Sequence, residues 1–161
     1  MLKSRLYTGA LCLFIMLMTG CSDIDSQSQK AIKQFGTSMD AKRAQLKLLP
    51  VPKNAQLRLK TDTSLAWIAK DPDACHLSKD IVYNKELTAL VTEIDSACSP
   101  KTGDAKNPDQ PDNRACLTIT TTYSPDGQSI SKQVFFLADS KKEKDIPASE
   151  AEKLLTEWKL R

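Results

Sequence analysis

Three segments of the chain place apolar side chains at helical spacing. The first runs from Ser26 to Leu49, the second from Lys85 to Ala97 and the third from Pro147 to Leu160. Their apolar stripes are Ile32, Phe35, Met39, Leu46 and Leu49, then Leu87, Leu90, Val91 and Ile94, and finally Ala151, Leu154, Leu155 and Trp158. The spacing predicts N-terminal, middle and C-terminal helices. Ser149 and Glu152 would form a capping box for the last one.

Alternating patterns predict two β-hairpins. Gln56–Lys60 and Ser64–Ala69 form the first, and Leu117–Ser124 and Ser129–Asp139 form the second, whose turn contains Pro125 and Gly127. Ser140–Asp145 is then a charged linker. The fold class predicted is α+β: a small antiparallel sheet of about four strands with the three helices packed on it.

Residues 99–115 have no apolar side chain larger than that of alanine and are rich in proline, aspartate and asparagine. This composition predicts a long polar surface loop, and such loops are uncommon unless they are functional or disordered. Residues 29–161 are predicted to form one small domain that carries this loop.

The first twenty residues have the pattern of a secretory signal. Lys3 and Arg5 precede the apolar segment Thr8–Met18, which is too short to span a bilayer. The sequence Met18-Thr19-Gly20-Cys21 resembles the lipobox of bacterial lipoproteins, with Met18 where that family prefers leucine.

The resemblance implies cleavage before Cys21 and attachment of diacylglycerol to its thiol, with further acylation of its amine. Residues 1–20 would then be a signal peptide and 21–28 a lipidated tether. Several acyl chains anchor a protein stably in a membrane. Ser22 follows the cysteine, where the family's inner-membrane retention signal has aspartate. The expected location is therefore the cell envelope, with the periplasmic face of the outer membrane favoured over the inner membrane.

The net charge of the chain argues against one class of partner. The chain has 23 basic and 20 acidic residues; without Lys3 and Arg5 of the signal, 21 basic residues balance 20 acidic ones. This near-neutral total argues against nucleic acid as a partner. Eight basic residues and one acid lie between Lys30 and Lys60, which fits either a surface facing anionic lipid or a solvated helix face.

Five cysteines divide by position. Cys12 leaves with the signal and Cys21 is the lipid site, so Cys75, Cys98 and Cys116 enter an oxidising compartment. A disulfide between Cys98 and Cys116 would close the base of the polar loop, with Cys75 as an alternative partner for either.

Catalytic chemistry finds little support in the sequence. Cys75 and His76 are neighbours, and adjacent residues in an extended chain point to opposite faces, so they do not form a thiol–imidazole pair. A zinc site from these two with Cys98 and Cys116 would lack the tight ligand pair of such sites. No metal or other cofactor is expected, and the protein is not expected to be an enzyme.

The sequence therefore indicates a non-catalytic lipoprotein that binds another envelope macromolecule, as an accessory subunit or as an inhibitor or exclusion factor. The polar loop and the basic sector are the first candidate surfaces. The alternative is a module that binds a small ligand or peptidoglycan through Trp67 or Trp158.

Overall fold

A computed structural model describes residues 48–101 and 114–161, together with Ser26, Lys30 and Leu46. Seven strands and one helix follow in chain order. Their bounds are β1 Ala55–Thr61, β2 Ser64–Ala69, β3 His76–Tyr83, β4 Leu90–Cys98, β5 Cys116–Tyr123, β6 Ile130–Ala138, β7 Glu143–Ile146 and α1 Ala148–Glu157.

The strands form a single antiparallel sheet in sequence order, β1 to β7. Every strand therefore pairs with its neighbours in the chain, and the connections are short except for residues 99–115 between β4 and β5. The middle strands are rich in threonine and β-branched side chains, which favour the pleated conformation. Helix α1 follows β7 directly.

One face of the sheet, called here the covered face, carries the core. On β4, β5 and β6 it packs against α1, and the shared cluster is Leu49, Ala97, Leu117, Ile119, Phe135, Leu137, Ile146, Ala151, Leu155 and Trp158. A second cluster lies towards β2 and consists of Leu48, Leu65, Ile81, Tyr83, Leu90 and Tyr123. Burial of these apolar side chains is the main stabilising contribution to the fold.

Two turns have a local cause in the sequence. The Gly127 N–H donates to the Ser124 carbonyl at 2.8 Å, and Gly127 has a φ of +66°, so the predicted turn of the β5–β6 hairpin is confirmed. Between β6 and β7, the Asp139 carboxylate accepts from the N–H groups of Lys141 and Lys142 at 2.7 and 2.8 Å. These backbone hydrogen bonds lower the pKa of Asp139 below its usual value.

The predicted fold class is wrong: residues 48–101 and 114–161 are mainly β, with seven strands and one helix rather than α+β with four strands and three helices. The middle helix predicted over Lys85–Ala97 is strand β4, Leu90–Cys98. Its alternate residues Glu93, Asp95 and Ala97 all point to the covered face. Two of these inward residues are charged, so the segment lacks the alternation of apolar and polar residues that predicts a strand. The helical spacing of its apolar residues is a coincidence.

Two further strands were not predicted. His76–Tyr83 is β3, whose inward residues include the polar His76 and Lys79 beside the apolar Ile81 and Tyr83. The charged linker Ser140–Asp145 contains most of β7, an exposed edge strand. Charged side chains are common on edge strands, where they oppose pairing with other chains.

The remaining elements follow the prediction more closely. Both predicted hairpins are present, as β1–β2 and β5–β6, and α1 lies within the predicted C-terminal helix. The capping box is absent, because the N-cap of α1 is Pro147 with no side-chain hydrogen bond. Most of the predicted N-terminal helix and the interior of the polar loop lie outside the described residues. No helix among the described residues is both long and apolar enough to cross a membrane.

Candidate functional site: a buried charged cluster, a disulfide and an open sheet face

Four ionisable side chains meet inside the covered face, on neighbouring strands β3 and β4. The Lys79 ammonium lies 2.9 Å from the Glu93 carboxylate and 3.0 Å from that of Asp95. The other Asp95 oxygen lies 2.9 Å from Nε2 of His76. Lys79 and Glu93 are fully buried, and Asp95 and His76 nearly so. We call these residues the charged cluster.

The sheet register brings the charged cluster together. Lys79 is the cross-strand partner of Asp95, and Glu93 lies two residues before Asp95 on the same face. Thr121 pairs with Glu93 from β5, and its hydroxyl accepts a hydrogen bond from the Gln133 amide at 2.9 Å. A polar row thus crosses the sheet between the two apolar clusters.

The charges of the cluster balance only when His76 is protonated. Two carboxylates flank one ammonium, and His76 adds a positive charge only when its imidazole is protonated. Buried ions lose the solvation of water, and only close pairing with hydrogen bonds offsets that loss. The contacts of 2.9–3.0 Å supply this pairing, and removing one member would leave a buried charge without it.

The charged cluster is suited to few chemical roles. The cluster is buried away from solvent. The Lys79 ammonium group occupies the position between the two carboxylates that a metal ion would need. No group of three or more metal-binding side chains is found among the described residues. The cluster is therefore suited to fixing the β3–β4 register rather than to binding a substrate.

The disulfide predicted between Cys98 and Cys116 is confirmed. The two residues are direct partners across β4 and β5, with Cα atoms 4.0 Å apart. Cys75, the alternative partner, is a free and partly buried thiol just before β3. Its carbonyl accepts a hydrogen bond from the Cys98 N–H at 2.7 Å.

The two tryptophans lie in different surroundings. Trp158 is 6% exposed and belongs to the cluster beneath α1. Trp67 is half-buried and packs at the margin of the second cluster, as the cross-strand partner of Leu57 and Lys79. The structure does not bring them into one site. Cys21, the predicted lipid site, lies outside the described residues.

A shallow crevice lies at the β2–β3 end of the sheet. Leu59, Leu65, Tyr83 and Leu87 line it, together with the turn around Asp62, and it encloses about 160 Å³. Pockets for small ligands usually enclose about 300–1,000 Å³. This crevice is therefore too small to favour the small-ligand alternative.

The opposite side of the sheet, called here the open face, has a different character. One row of cross-strand partners runs Ile68, Ser78, Ser96, Thr118 and Phe136, from β2 to β6. Ile68 and Phe136, at its two ends, are 36% and 37% exposed. With strands about 4.8 Å apart, the row spans about 19 Å. We call these five residues the open row.

The open row was not predicted from the sequence. Its members come from five strands, two of which were not predicted correctly, so no local pattern joins them. The signal that was available is the sequence Val134-Phe135-Phe136-Leu137, in which adjacent large side chains must point to both faces of one strand.

Comparison of the chain with models of protein families, with curated proteins and with solved structures gives no match.

Proposed function

We propose that this protein is a lipid-anchored lipoprotein of the bacterial envelope whose sheet domain binds another envelope protein through the open row, without catalysing a reaction. The single observation that carries the binding part is the contrast between the two faces of the sheet. The covered face is filled by α1 and by Leu48 and Leu49. The open row presents apolar ends with small hydroxyl side chains between them.

The chemistry of the open row fits a protein surface. It contains no charged residue, and its serine and threonine hydroxyls can donate and accept hydrogen bonds. Its two exposed apolar side chains stand about 19 Å apart at the ends of this uncharged strip, so a partner could contact both across the row. The partner surface that suits it is flat, with apolar side chains at the two ends of the row.

The anchored part of the proposal rests on the signal and on Met18-Thr19-Gly20-Cys21. A lipid at Cys21 would hold the domain close to a membrane and favour partners that are also in the envelope. Mass spectrometry of the mature protein tests this part alone. Acyl chains on Cys21 are expected, and an unmodified Cys21 thiol would overturn it.

In vivo photo-cross-linking tests the binding part. A photoreactive amino acid at position 136 of the full-length chain should give a cross-link to one envelope protein. The same group at Leu57, which is 42% exposed but on the covered side at the sheet edge, is the matched control. Cross-links from position 57 and none from position 136 would place the contact elsewhere.

Paired substitutions then test the energetic role of the open row. Ile68→Ser with Phe136→Ser should lower partner recovery about tenfold or more, because burying each such side chain contributes about 1.5–3 kcal/mol. Leu57→Ser with Leu59→Ser removes two equally exposed apolar groups from the other side of the sheet. An equal loss in both double variants would contradict the proposed surface.

A further inference from the structure

Three cysteines lie side by side at one end of the sheet. Cys98 stands on β4, between Cys116 at the start of β5 and Cys75 just before β3. Cys98 and Cys116 are register partners. On the other side, His76 pairs with Ala97, and the Cys98 N–H bonds to the Cys75 carbonyl at 2.7 Å. This hydrogen bond places Cys75, one residue before β3, beside Cys98.

The same register places the sulfurs on one face. The His76 side chain reaches Asp95 on the covered face, and its partner Ala97 is buried there. Because successive side chains alternate, Cys98 and its partner Cys116 point to the opposite face, and continuing this alternation one residue beyond β3 gives Cys75 the same face. The row of sulfurs then runs Cys75, Cys98, Cys116 across three neighbouring strands.

The turn before Cys75 is fastened to both flanking segments. The Arg114 guanidinium donates to the carbonyls of Pro72 and Ala74, at 3.0 and 3.3 Å, from two residues before Cys116. Lys101 forms an ion pair with Asp73 at 2.6 Å, from three residues after Cys98. These contacts hold the free cysteine in the row.

We propose that Cys75, Cys98 and Cys116 form a thiol–disulfide exchange site in which one disulfide moves between two positions. The Cys75 thiolate attacks Sγ of Cys98, a Cys75–Cys98 bond forms, and Cys116 leaves as a thiolate that takes up the proton lost by Cys75. No oxidant or reductant is consumed. Exchange needs the attacking sulfur to approach Cys98 from the side away from Cys116, and Cys75 flanks Cys98 on that side.

Exchange changes which strands are joined covalently. In the structure the bond links β4 to β5, and Cys75 is free. After exchange it links the start of β3 to β4, and the free thiol is that of Cys116. The proposal does not depend on the open row or on the proposed partner.

Three variants of the full chain test the geometry under air oxidation. Cys116→Ser should form a Cys75–Cys98 disulfide and lose reactivity towards iodoacetamide at both positions. Cys98→Ser should leave Cys75 and Cys116 reduced. Their Cα atoms are two strand spacings apart, about 9.6 Å, and a disulfide bridges Cα atoms only up to about 7 Å. Cys75→Ser should keep the Cys98–Cys116 bond.

Peptide mapping in the wild-type chain tests the exchange itself. Trypsin separates the three cysteines onto the peptides 71–79, 86–101 and 115–132. After incubation at mildly alkaline pH and acid quenching, alkylated Cys116 should accompany a linked pair of the first two peptides. Circular dichroism confirms that each variant is folded. Free thiols at both positions of folded Cys116→Ser, or alkylation of Cys75 alone in the wild type after long incubation, would overturn the proposal.

Discussion

At the residue scale, Lys79 shows how a single charge can hold part of the fold. Its ammonium group compensates the buried carboxylates of Glu93 and Asp95. Lys79→Met keeps most of the side-chain volume but removes the positive charge. Breaking a buried ion pair from one side costs about 3–5 kcal/mol, so the free energy of unfolding from urea denaturation at neutral pH should fall by that amount.

Lys60→Met provides the matched control. Lys60 also pairs with an aspartate, Asp80, but its side chain is 52% exposed. Exposed ion pairs contribute about 0–1 kcal/mol, so this variant should unfold almost like the wild type. Equal destabilisation by the two substitutions would mean that the charge of Lys79 has no special role.

The charged cluster also explains why Leu90–Cys98 is a strand and not the predicted middle helix. Sequence patterns identify buried positions by their apolar side chains, and fully buried charged residues are rare unless they are paired. Glu93 and Asp95 are acceptable inside because Lys79 lies opposite them on β3. That pairing depends on the register of two strands, which neither segment specifies alone. The Cys98–Cys116 bond was predictable because the two cysteines bracket one polar segment.

At the element scale, the β5–β6 hairpin depends on one glycine. A Cβ at Gly127 would lie 2.7 Å from the Leu90 backbone nitrogen and 2.9 Å from Cβ of Ala89, and φ is +66°. Gly127→Ala should therefore lower the free energy of unfolding by about 1–3 kcal/mol through backbone strain alone, with the close contact adding to it. Thermal unfolding measures the effect.

The neighbouring residue offers a control for this turn. Gln128 is exposed, so Gln128→Ala should change stability by no more than about 0.5 kcal/mol. A wild-type melting temperature for Gly127→Ala would show that the turn can adopt another conformation.

The elements differ in how far local sequence determines them. The β5–β6 hairpin has a turn with proline and glycine between alternating strands, and α1 has a continuous apolar stripe, so both were predicted. Strand β7 has four residues, of which only Ile146 is buried. Its conformation comes from pairing with β6, a contact with no local signal. The open row was not predicted for the same reason, because its residues come together only when five strands are aligned.

At the scale of the whole molecule, the fold is one sheet with two unequal faces. The sequential strand order leaves no strand to form a second sheet over the open face among the described elements. Helix α1 and Leu48 and Leu49 pack on the covered face. The described core therefore lies on the covered face, while Ile68 and Phe136 at the ends of the open row are partly exposed.

Adjacent phenylalanines on β6 test this asymmetry directly. Phe135 is 5% exposed on the covered face, and Phe136 is 37% exposed at the end of the open row. Phe135→Ala should lower the free energy of unfolding by about 3–5 kcal/mol, the usual cost of removing a buried aromatic side chain. Phe136→Ala should cost less, about 1–2 kcal/mol, since more than a third of its surface already contacts solvent.

The comparison is controlled because the substitution, the strand and the change in strand propensity are the same at both positions. Urea denaturation of the two variants under one set of conditions measures the difference. A large difference supports a free open face, available to a partner in the envelope. Equal and large losses would show that Phe136 is part of the folded core, and the open row could not then be the docking surface.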